Sequence, residues 1–203
     1  MPNGKGKGLL IVISSPSGGG KTTVFRAILK RHPQYRYSIS ATTRPMRENE
    51  RDGYDYFFLT DDEFDRKIEA GEFVEWAFVH NYRYGTLKSF VDDALKNGDV
   101  MIFDLDVQGA DSMQRIYPYE SVLVFLLPPS REELKRRLLA RKTDSIEVIN
   151  RRLKNAEDEI KRIPQYDYLV INDDLNLCIE KVDSIITAEL CRPHRVQPVE
   201  GWL

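Results

Sequence analysis

Residues 14–23, SSPSGGGKTT, constrain the fold of this chain more than any other stretch. They follow the apolar run LLIVI and precede VFRAIL, an order that predicts a buried strand, a glycine-rich loop and a helix. Gly18, Gly19 and Gly20 lack a Cβ, so the backbone can turn sharply and direct several N–H groups inward. The N-terminus of the helix adds partial positive charge. The stretch therefore predicts a loop that binds a phosphate chain.

Two side chains at the start of that helix complete the motif. Lys21 is placed to reach the β- and γ-phosphates of a nucleotide, and the Thr22 hydroxyl is placed to ligate Mg²⁺. The spacing fits G-x-x-x-x-G-K-[ST], except that Ser15 stands at the first glycine position and adopts positive φ less readily. The alternative is a glycine-rich turn that binds nothing, which the flanking strand and helix disfavour.

The composition indicates one ordinary globular unit. The 203 residues carry a formal net charge of -2, which gives no support to bulk nucleic-acid binding. No apolar run approaches the ~20 residues that cross a bilayer, and the N-terminus lacks the apolar region of a signal peptide. Cys178 and Cys191 have no metal-ligand spacing. We therefore expect a cytoplasmic protein, monomeric or homo-oligomeric, with neither nucleic acid nor membrane as a partner.

Short apolar strands that alternate with helices predict an α/β fold, a parallel sheet covered by helices on both faces. Ligands in such sheets bind beyond the carboxyl ends of the strands, where the glycine loop, Asp104 with Asp106, and Asn172 with Asp173 all fall. Consecutive short strands interrupt the alternation and predict an inserted mixed α/β lobe at residues 37–90. The core is then expected at residues 1–36, 91–130 and 164–203, with a helical lid at 131–163.

Local patterns add finer expectations. Residues 35–40 alternate as a strand does, residues 41–53 form an arginine-rich loop, and residues 54–59 form another strand. Thr60 and Ser130 each begin a sequence typical of a capping box. The tail after Cys191 is broken by prolines and is expected to be loosely held.

Asp104 ends a buried strand in the way that a Mg²⁺-associated carboxylate does in other phosphate-loop enzymes. Helix capping is the alternative role for such an aspartate. Asp106 points in the same direction as Asp104 if the strand continues that far.

Other polar side chains suggest a second binding region. Arg44 and Arg47, three residues apart and fixed by a proline, suit a bidentate grip on a small phosphate, although a solvated basic loop is the alternative. Tyr56 and Tyr84 are candidate hydroxyl donors, or half-buried strand tyrosines. Glu75 sets a carboxylate in an apolar strand, where it either accepts from guanine N1–H and N2–H₂ or forms a salt bridge.

The predicted lid is dense in basic residues, most of which are expected to form solvated helix faces. Arg141 borders a break between two helices, and Arg152 lies on the returning helix. A cation at either position can close over transferring phosphates and neutralise their charge.

Eight motifs occur in a specific order: SSPSGGGKTT, SISATTRPMR, GYDYFF, GEFVEWA, YRYGT, FDLDVQGA, LPPSREELKRRLLARKTDS and INDDL. With them the chain resembles the guanylate kinase family over residues 9–190. The resemblance implies that ATP, a co-substrate bound with Mg²⁺, phosphorylates GMP, and dGMP as a further acceptor, to give GDP and ADP. It also implies that residues 37–90 are a GMP-binding lobe.

The resemblance assigns residues by motif. The implied GMP-binding residues are Ser40, Arg44, Arg47, Tyr56, Glu75, Tyr84, Thr86 and Asp106. The implied ATP-binding residues are Ser15, Pro16, Ser17, Gly18, Gly19, Gly20, Lys21, Thr22, Thr23 and Asn172, the last on the adenine side. The implied catalytic residues are Lys21, Arg44, Arg141, Arg152 and Asp104, with Arg137 as a further candidate. Thr22 and Asp104 would serve the metal, directly or through water.

The chain departs from the family pattern at a few positions. Lys142 replaces the glycine usual in the lid, and Ser15 and Thr86 are mild changes. Two alternative functions remain. One is a guanylate-kinase-like module that binds phosphopeptides without catalysis, which the complete phosphate loop disfavours. The other is a kinase for a different acceptor, such as AMP, UMP or a phosphorylated sugar, which Glu75 with Asp106 disfavours.

Overall fold

The computed structural model describes residues 7–79, 81–140 and 145–196. Within these ranges the chain forms strands β1 (Leu9–Ser14), β2 (Arg36–Tyr37), β3 (Ala41–Thr42), β4 (Phe57–Phe58), β5 (Phe73–Val79), β6 (Tyr82–Leu87), β7 (Val100–Asp104), β8 (Ser121–Leu127) and β9 (Tyr168–Ile171). The α-helices are α1 (Lys21–Arg31), α2 (Asp61–Glu69), α3 (Lys88–Lys96), α4 (Val107–Ile116), α5 (Arg131–Ala140), α6 (Ile146–Ile160) and α7 (Leu175–Leu190). A short 3-10 helix, Ile163–Gln165, precedes β9.

Five strands form a parallel sheet in the order β2-β7-β1-β8-β9. Its central strand is buried on both faces. Leu9, Ile11 and Ile13 belong to one apolar cluster with α1 and α7, while Leu10 and Val12 belong to another with α3 and α4. Alternate side chains of a strand point to opposite faces, so the continuous apolar run at residues 9–13 supplies both cores. This confirms the predicted α/β fold with helices on both faces.

A second, mixed sheet lies between β2 and α3 in the chain and has the order β4-β3-β6-β5. Helix α2 covers one face, where Phe64 stacks on Phe73 with ring centroids 4.4 Å apart. Thr60 caps α2 with the predicted capping box. The separate sheet agrees with the predicted insertion of a mixed α/β lobe, and we use the name inserted lobe for residues 41–87, from β3 to β6.

The prediction of one strand at residues 35–40 is wrong, because the two ends of this stretch pair with different sheets. Arg36 and Tyr37 pair with β7, and the Ser38 N–H donates to the Ile102 carbonyl at 3.0 Å. The chain then crosses to the second sheet, where residues 41–42, expected in a loop, form β3. The strand expected at residues 54–59 is only Phe57–Phe58. Alternation in the sequence carries no information on which sheet a strand joins.

Asp106 does not continue β7, which ends at Asp104. Its carboxylate instead caps α4 and accepts from the backbone N–H groups of Gln108 (3.0 Å) and Gly109 (2.9 Å). The orientation of the Asp106 side chain is therefore set by its hydrogen bonds to α4 and not by β7. The expectation that strand alternation aligns Asp106 with Asp104 does not hold.

Ser130 makes only half of the predicted capping box. Its hydroxyl accepts from the Glu133 backbone N–H at 3.1 Å. The Glu133 carboxylate instead accepts from Arg136 and Arg137, at 2.7 Å in each case, and these hydrogen bonds lower the pKa of Glu133 to about 2. Two guanidiniums on the same helix thus replace the backbone as the partners of this acid.

The start of the C-terminal tail is anchored rather than loose. Arg195 is 4% exposed and donates to the Glu189 carboxylate at 2.8 Å and to the Tyr119 carbonyl at 3.0 Å. Its own carbonyl accepts from the Lys7 N–H at 3.1 Å. Prolines in the sequence correctly indicate irregular backbone, but they carry no information on this buried ion pair.

Replacing Arg195 with methionine is expected to lower the free energy of unfolding by about 3 kcal/mol, because Glu189 is then left as a poorly compensated buried charge. Urea unfolding measures the change. Arg192→Met is the matched control, since Arg192 pairs with the same carboxylate at 2.8 Å but is 53% exposed. We expect the control to cost no more than about 1 kcal/mol. Equal losses in the two variants would contradict the assignment of Arg195 as the anchor.

Within the described ranges, no helix combines the length and the apolar composition that crossing a membrane requires.

Candidate active site

The loop between β1 and α1 encloses a cavity at the carboxyl end of the parallel sheet. Gly18 and Gly20 both adopt φ 93°, a conformation that side chains rarely allow, and the Gly19 N–H donates to the Pro16 carbonyl at 2.8 Å. The cavity has a volume of about 350 Å³ and is lined by residues 15–23, Asp106 and Glu159. We call it the phosphate cavity, because the glycine-rich loop and the N-terminus of α1 line it.

Asn172 braces this loop from the end of β9. The buried side-chain amide of Asn172 donates to the Gly19 carbonyl at 2.8 Å, and the backbone carbonyl of Asn172 accepts from the Arg137 guanidinium at 2.9 Å. A Cβ built on Gly20 would overlap the same amide nitrogen. Because the amide nitrogen of Asn172 donates to the Gly19 carbonyl, a contact between Asn172 and adenine stays a prediction.

Gly20→Ala is expected to weaken ATP binding about tenfold or more, which corresponds to about 1.4 kcal/mol, because the new methyl group displaces Asn172 and with it the loop. Gly71→Ala is the matched control: Gly71 has φ 66°, and nothing lies within 4 Å of the position that its new methyl group would take. Both variants carry the left-handed strain of about 1–2 kcal/mol. Titration calorimetry measures the dissociation constant for ATP in both variants. A loss of affinity in Gly20→Ala alone is then due to the displacement of Asn172, not to backbone strain. Equal ATP affinity in both variants would contradict the bracing role.

Lys21 is held by the strand-end carboxylate. Its ammonium lies 2.5 Å from Asp104 and donates to the Leu105 carbonyl at 3.0 Å. Thr22 is exposed in the first turn of α1 and lines the same cavity. The structure therefore brings together the predicted lysine, hydroxyl and carboxylate at one edge of the sheet.

Cations from α5 and α6 contact the phosphate loop or the residue that braces it. Arg152 donates to the Ser17 hydroxyl at 3.0 Å, so this predicted lid residue contacts the loop directly. Arg137, the further candidate, reaches the loop through Asn172. Arg141 and Lys142 lie outside the described residues, and the role of Arg141 stays a prediction.

The register of the second sheet aligns the predicted GMP-binding residues. Ala41 pairs with both Phe57 and Gly85, so the preceding Ser40 lies level with Tyr56 on one side and Thr86 on the other. Glu75 in turn pairs with Thr86. Four residues that are distant in the sequence thus share one row across the sheet.

Arg44 lies over this row and is engaged by a carboxylate. Its guanidinium donates to both Glu50 oxygens, at 2.9 and 2.7 Å, and lies 5.3 Å from the centroid of the Tyr56 ring. Hydrogen bonds from Arg44 to Glu50 raise the pKa of Arg44, and the Tyr84 hydroxyl raises it further. Arg47 is exposed, and its backbone N–H donates to Glu50 at 2.8 Å. A carboxylate that accepts in bidentate fashion occupies the fork as two phosphate oxygens would.

Glu75 faces away from α2 because of a β-bulge. The register shifts between Phe73 and Glu75, so Phe73 and Trp76 both contact Phe64, while Glu75 points to the opposite side. The Glu75 carboxylate accepts from the Thr86 hydroxyl at 2.6 Å. Burial raises the pKa of Glu75, the Thr86 hydrogen bond lowers it, and the Asp106 charge raises it again, with a net upward shift.

Glu75 and Asp106 line a second cavity of about 330 Å³ between β5 and α4. Asp106 therefore borders this cavity as well as the phosphate cavity. Among the described residues, no group of three or more His, Cys, Asp or Glu side chains is arranged to hold a metal ion by itself.

Two carboxylates of the candidate site, one paired with Arg44 and one lining the phosphate cavity, were not predicted from the sequence. Glu50 lies six residues after Arg44 in the same polar loop, and an acid inside an arginine-rich loop is the signal that could have pointed to it. Glu159 lies seven residues after Arg152 on α6, a spacing that puts both on one helix face. Their approach to the site depends on tertiary packing.

Comparison with known proteins gives a consistent result. The guanylate kinase family model matches residues 7–189. The guanylate kinase of Syntrophotalea carbinolica is 48% identical over 199 residues, covering 98% of this chain and 94% of that protein. That of Myxococcus xanthus is 50% identical over 190 residues, covering 93% and 90% respectively.

A solved structure supports the same assignment. The crystal structure of guanylate kinase from Anaplasma phagocytophilum matches with a TM-score of 0.72 at 32% identity and covers 94% of this chain and 90% of that chain. The family match and the near-complete overlap with these relatives show that the chain belongs to the guanylate kinase family.

Proposed function

We propose that the chain transfers the γ-phosphoryl group of ATP to GMP, giving ADP and GDP, and that the two cavities hold the two nucleotides. The observation that carries this proposal is the position of Asp106, which lines both the phosphate cavity and the cavity that contains Glu75. A donor in the first and an acceptor in the second would meet at a shared wall, as direct transfer between two bound substrates requires.

The inserted lobe is the proposed acceptor site. Arg44 would exchange Glu50 for the GMP phosphate, assisted by Ser40, Arg47, Tyr56 and Tyr84. The ready-made bidentate geometry between Arg44 and Glu50 supports this role, because a phosphate can present two oxygens to the same fork.

Glu75 is the proposed reader of guanine. Thr86 donates to one carboxylate oxygen at 2.6 Å, which fixes the carboxylate for the N1–H and N2–H₂ groups of the base. Asp106 adds a second acceptor, held rigidly by its cap on α4. AMP presents a different pattern of donors and acceptors at this edge. The same residues accept dGMP in this proposal, since the contacts involve only the base and the phosphate.

Transfer needs charge neutralisation more than proton abstraction. The acceptor phosphate is largely dianionic at neutral pH, because its second pKa is about 6. Lys21 would leave Asp104 for the donor phosphates, and Arg152 would leave the Ser17 hydroxyl for the transferring group, with Arg137 and Arg141 beside it. These cations stabilise the charge that spreads over the phosphoryl oxygens.

The donor set suits Mg²⁺. The Lys21 ammonium lies 2.5 Å from Asp104, so this carboxylate already takes a cation as its partner. Thr22 and Asp104 would hold the ion, directly or through water, because Mg²⁺ is usually held by one or two carboxylates together with substrate phosphates. When bound, Mg²⁺ supplies further neutralisation of the donor phosphates.

A cytoplasmic location and the absence of nucleic-acid and membrane partners belong to the same proposal. The described chain keeps Cys178 and Cys191 as free thiols, which supports a reducing compartment.

An acceptor panel tests the proposal. ADP formation is followed at fixed ATP and Mg²⁺ with GMP, dGMP, IMP, AMP and UMP in turn. We expect rapid turnover with GMP and dGMP and turnover weaker by on the order of 10²-fold or more with AMP and UMP. Sound GMP binding without turnover would favour a phosphopeptide-binding module, and preferred turnover of another acceptor would contradict guanine recognition.

A further inference from the structure

Helix α6 brings two opposite charges to the phosphate loop and its cavity. Arg152 contacts the Ser17 hydroxyl at 3.0 Å, and Glu159 lines the phosphate cavity together with Asp106 and the loop. Seven residues correspond to nearly two helical turns, or about 10 Å along the axis, so both side chains lie on one face. The helix therefore places a cation against the phosphate loop and a carboxylate in the wall of the cavity.

Glu159 is half-buried, and no side-chain hydrogen bond or ion pair involves it within the described part of the chain. Burial raises its pKa, the Asp106 charge raises it further, and the Lys21 ammonium lowers it. The neighbours of Glu159 are thus a second carboxylate and the lysine of the loop.

A carboxylate at this position is unfavourable for a polyphosphate that enters without a cation. The donor phosphates are anionic, so Glu159 would repel them across the cavity. A hydrated metal ion reverses the effect, because Mg²⁺ keeps several waters and a nearby carboxylate can accept hydrogen bonds from them. The charge of Glu159 therefore has opposite consequences for the two forms of the nucleotide.

We propose that Glu159 is a positioning residue that selects the magnesium complex of ATP by accepting hydrogen bonds from metal-bound water and repelling metal-free ATP. The inference rests on the proposed function, since it assumes that ATP occupies the phosphate cavity. It adds a carboxylate, carried by helix α6, to the proposed metal-holding residues Thr22 and Asp104.

Titration calorimetry with ATP tests this without turnover. The ratio between the dissociation constant in EDTA and that in Mg²⁺ is measured for the full chain and for Glu159→Gln. We expect the ratio to fall on the order of tenfold, with MgATP bound more weakly and metal-free ATP more tightly. Glu159→Asp keeps the charge and is expected to restore part of the ratio. Far-ultraviolet circular dichroism and thermal unfolding check that the variants fold.

Glu157→Gln is the matched control, with the same charge change on the same helix. Glu157 faces Arg131 at 3.1 Å rather than the cavity, and it is 53% exposed. Its ratio should equal that of the unmodified chain. The proposal is overturned if both glutamine variants behave alike, or if Glu159→Gln weakens both forms of ATP equally. If the unmodified chain binds ATP in neither condition, the proposed function itself fails, which is a distinct result.

Discussion

Replacing Lys21 with methionine is expected to lower the turnover number for GDP formation by about 10³-fold or more, while the protein stays folded. Lys21 lies in the first turn of α1, directly after Gly20, and its ammonium already bridges to Asp104 at 2.5 Å. Methionine keeps most of the apolar stem and removes the charge that would stabilise the transferring phosphoryl group. The rate is measured by a coupled assay for ADP at saturating GMP.

Two controls accompany this variant. Lys30→Met removes an exposed charge from the same helix and should leave the rate unchanged. Lys21→Arg keeps the charge but replaces a compact ammonium by a planar guanidinium, so we expect only partial recovery. If Lys21→Met keeps a tenth of the activity or more, the loop lysine has no central role in transfer.

Glu75→Gln is expected to lower kcat/KM for GMP on the order of 10³-fold and to leave the KM for ATP unchanged. The carboxylate can accept from two adjacent guanine donors, whereas the amide presents one acceptor and one donor group. Steady-state kinetics with each nucleotide varied in turn measures both effects. An equal loss for GMP and ATP would mean that Glu75 supports the fold of the site rather than reading the base.

Glu75→Gln is expected to lower activity but to raise the free energy of unfolding at neutral pH. Burial raises the pKa of Glu75 in the folded state, so its ionisation disfavours folding. This penalty is absent in acid, appears as pH rises above the unfolded-state value of about 4.3, and is complete above the raised folded-state pKa. At pH 7, Glu75→Gln is therefore expected to unfold at a higher midpoint concentration of urea than the unmodified chain. A variant that is clearly less stable at pH 7 would contradict the cause given for this shift.

The parts of the fold predicted correctly are those specified by local sequence. The strand and helix around the phosphate loop have strong apolar patterns, and the capping box at Thr60 marks the start of α2. The short strands of the inserted lobe were predicted less well. The pairing of these strands depends on which sheet the chain joins after Ser38. The direction of the Glu75 side chain depends on a β-bulge in β5. A pattern of alternating residues specifies neither.

In the candidate site, too, local motifs predicted the residues but not all of their contacts. The motifs predicted Lys21, Asp104 and the loop glycines, which lie together because the carboxyl ends of neighbouring parallel strands share one edge. They did not predict that Glu50 engages Arg44 or that Asn172 holds the loop carbonyl. Those contacts depend on side-chain geometry that the motifs do not specify.

A crystal structure with GMP and a non-hydrolysable ATP analogue tests the central claim most directly, namely that one loop holds the triphosphate while a separate carboxylate reads guanine. The account predicts phosphate oxygens within hydrogen-bond distance of the N–H groups at residues 18–20, with the Lys21 ammonium moved from Asp104 to the β- and γ-phosphates. It also predicts that the N1–H and N2–H₂ groups of guanine donate hydrogen bonds to the Glu75 carboxylate. An empty phosphate cavity, or an acceptor base bound away from Glu75, would contradict it.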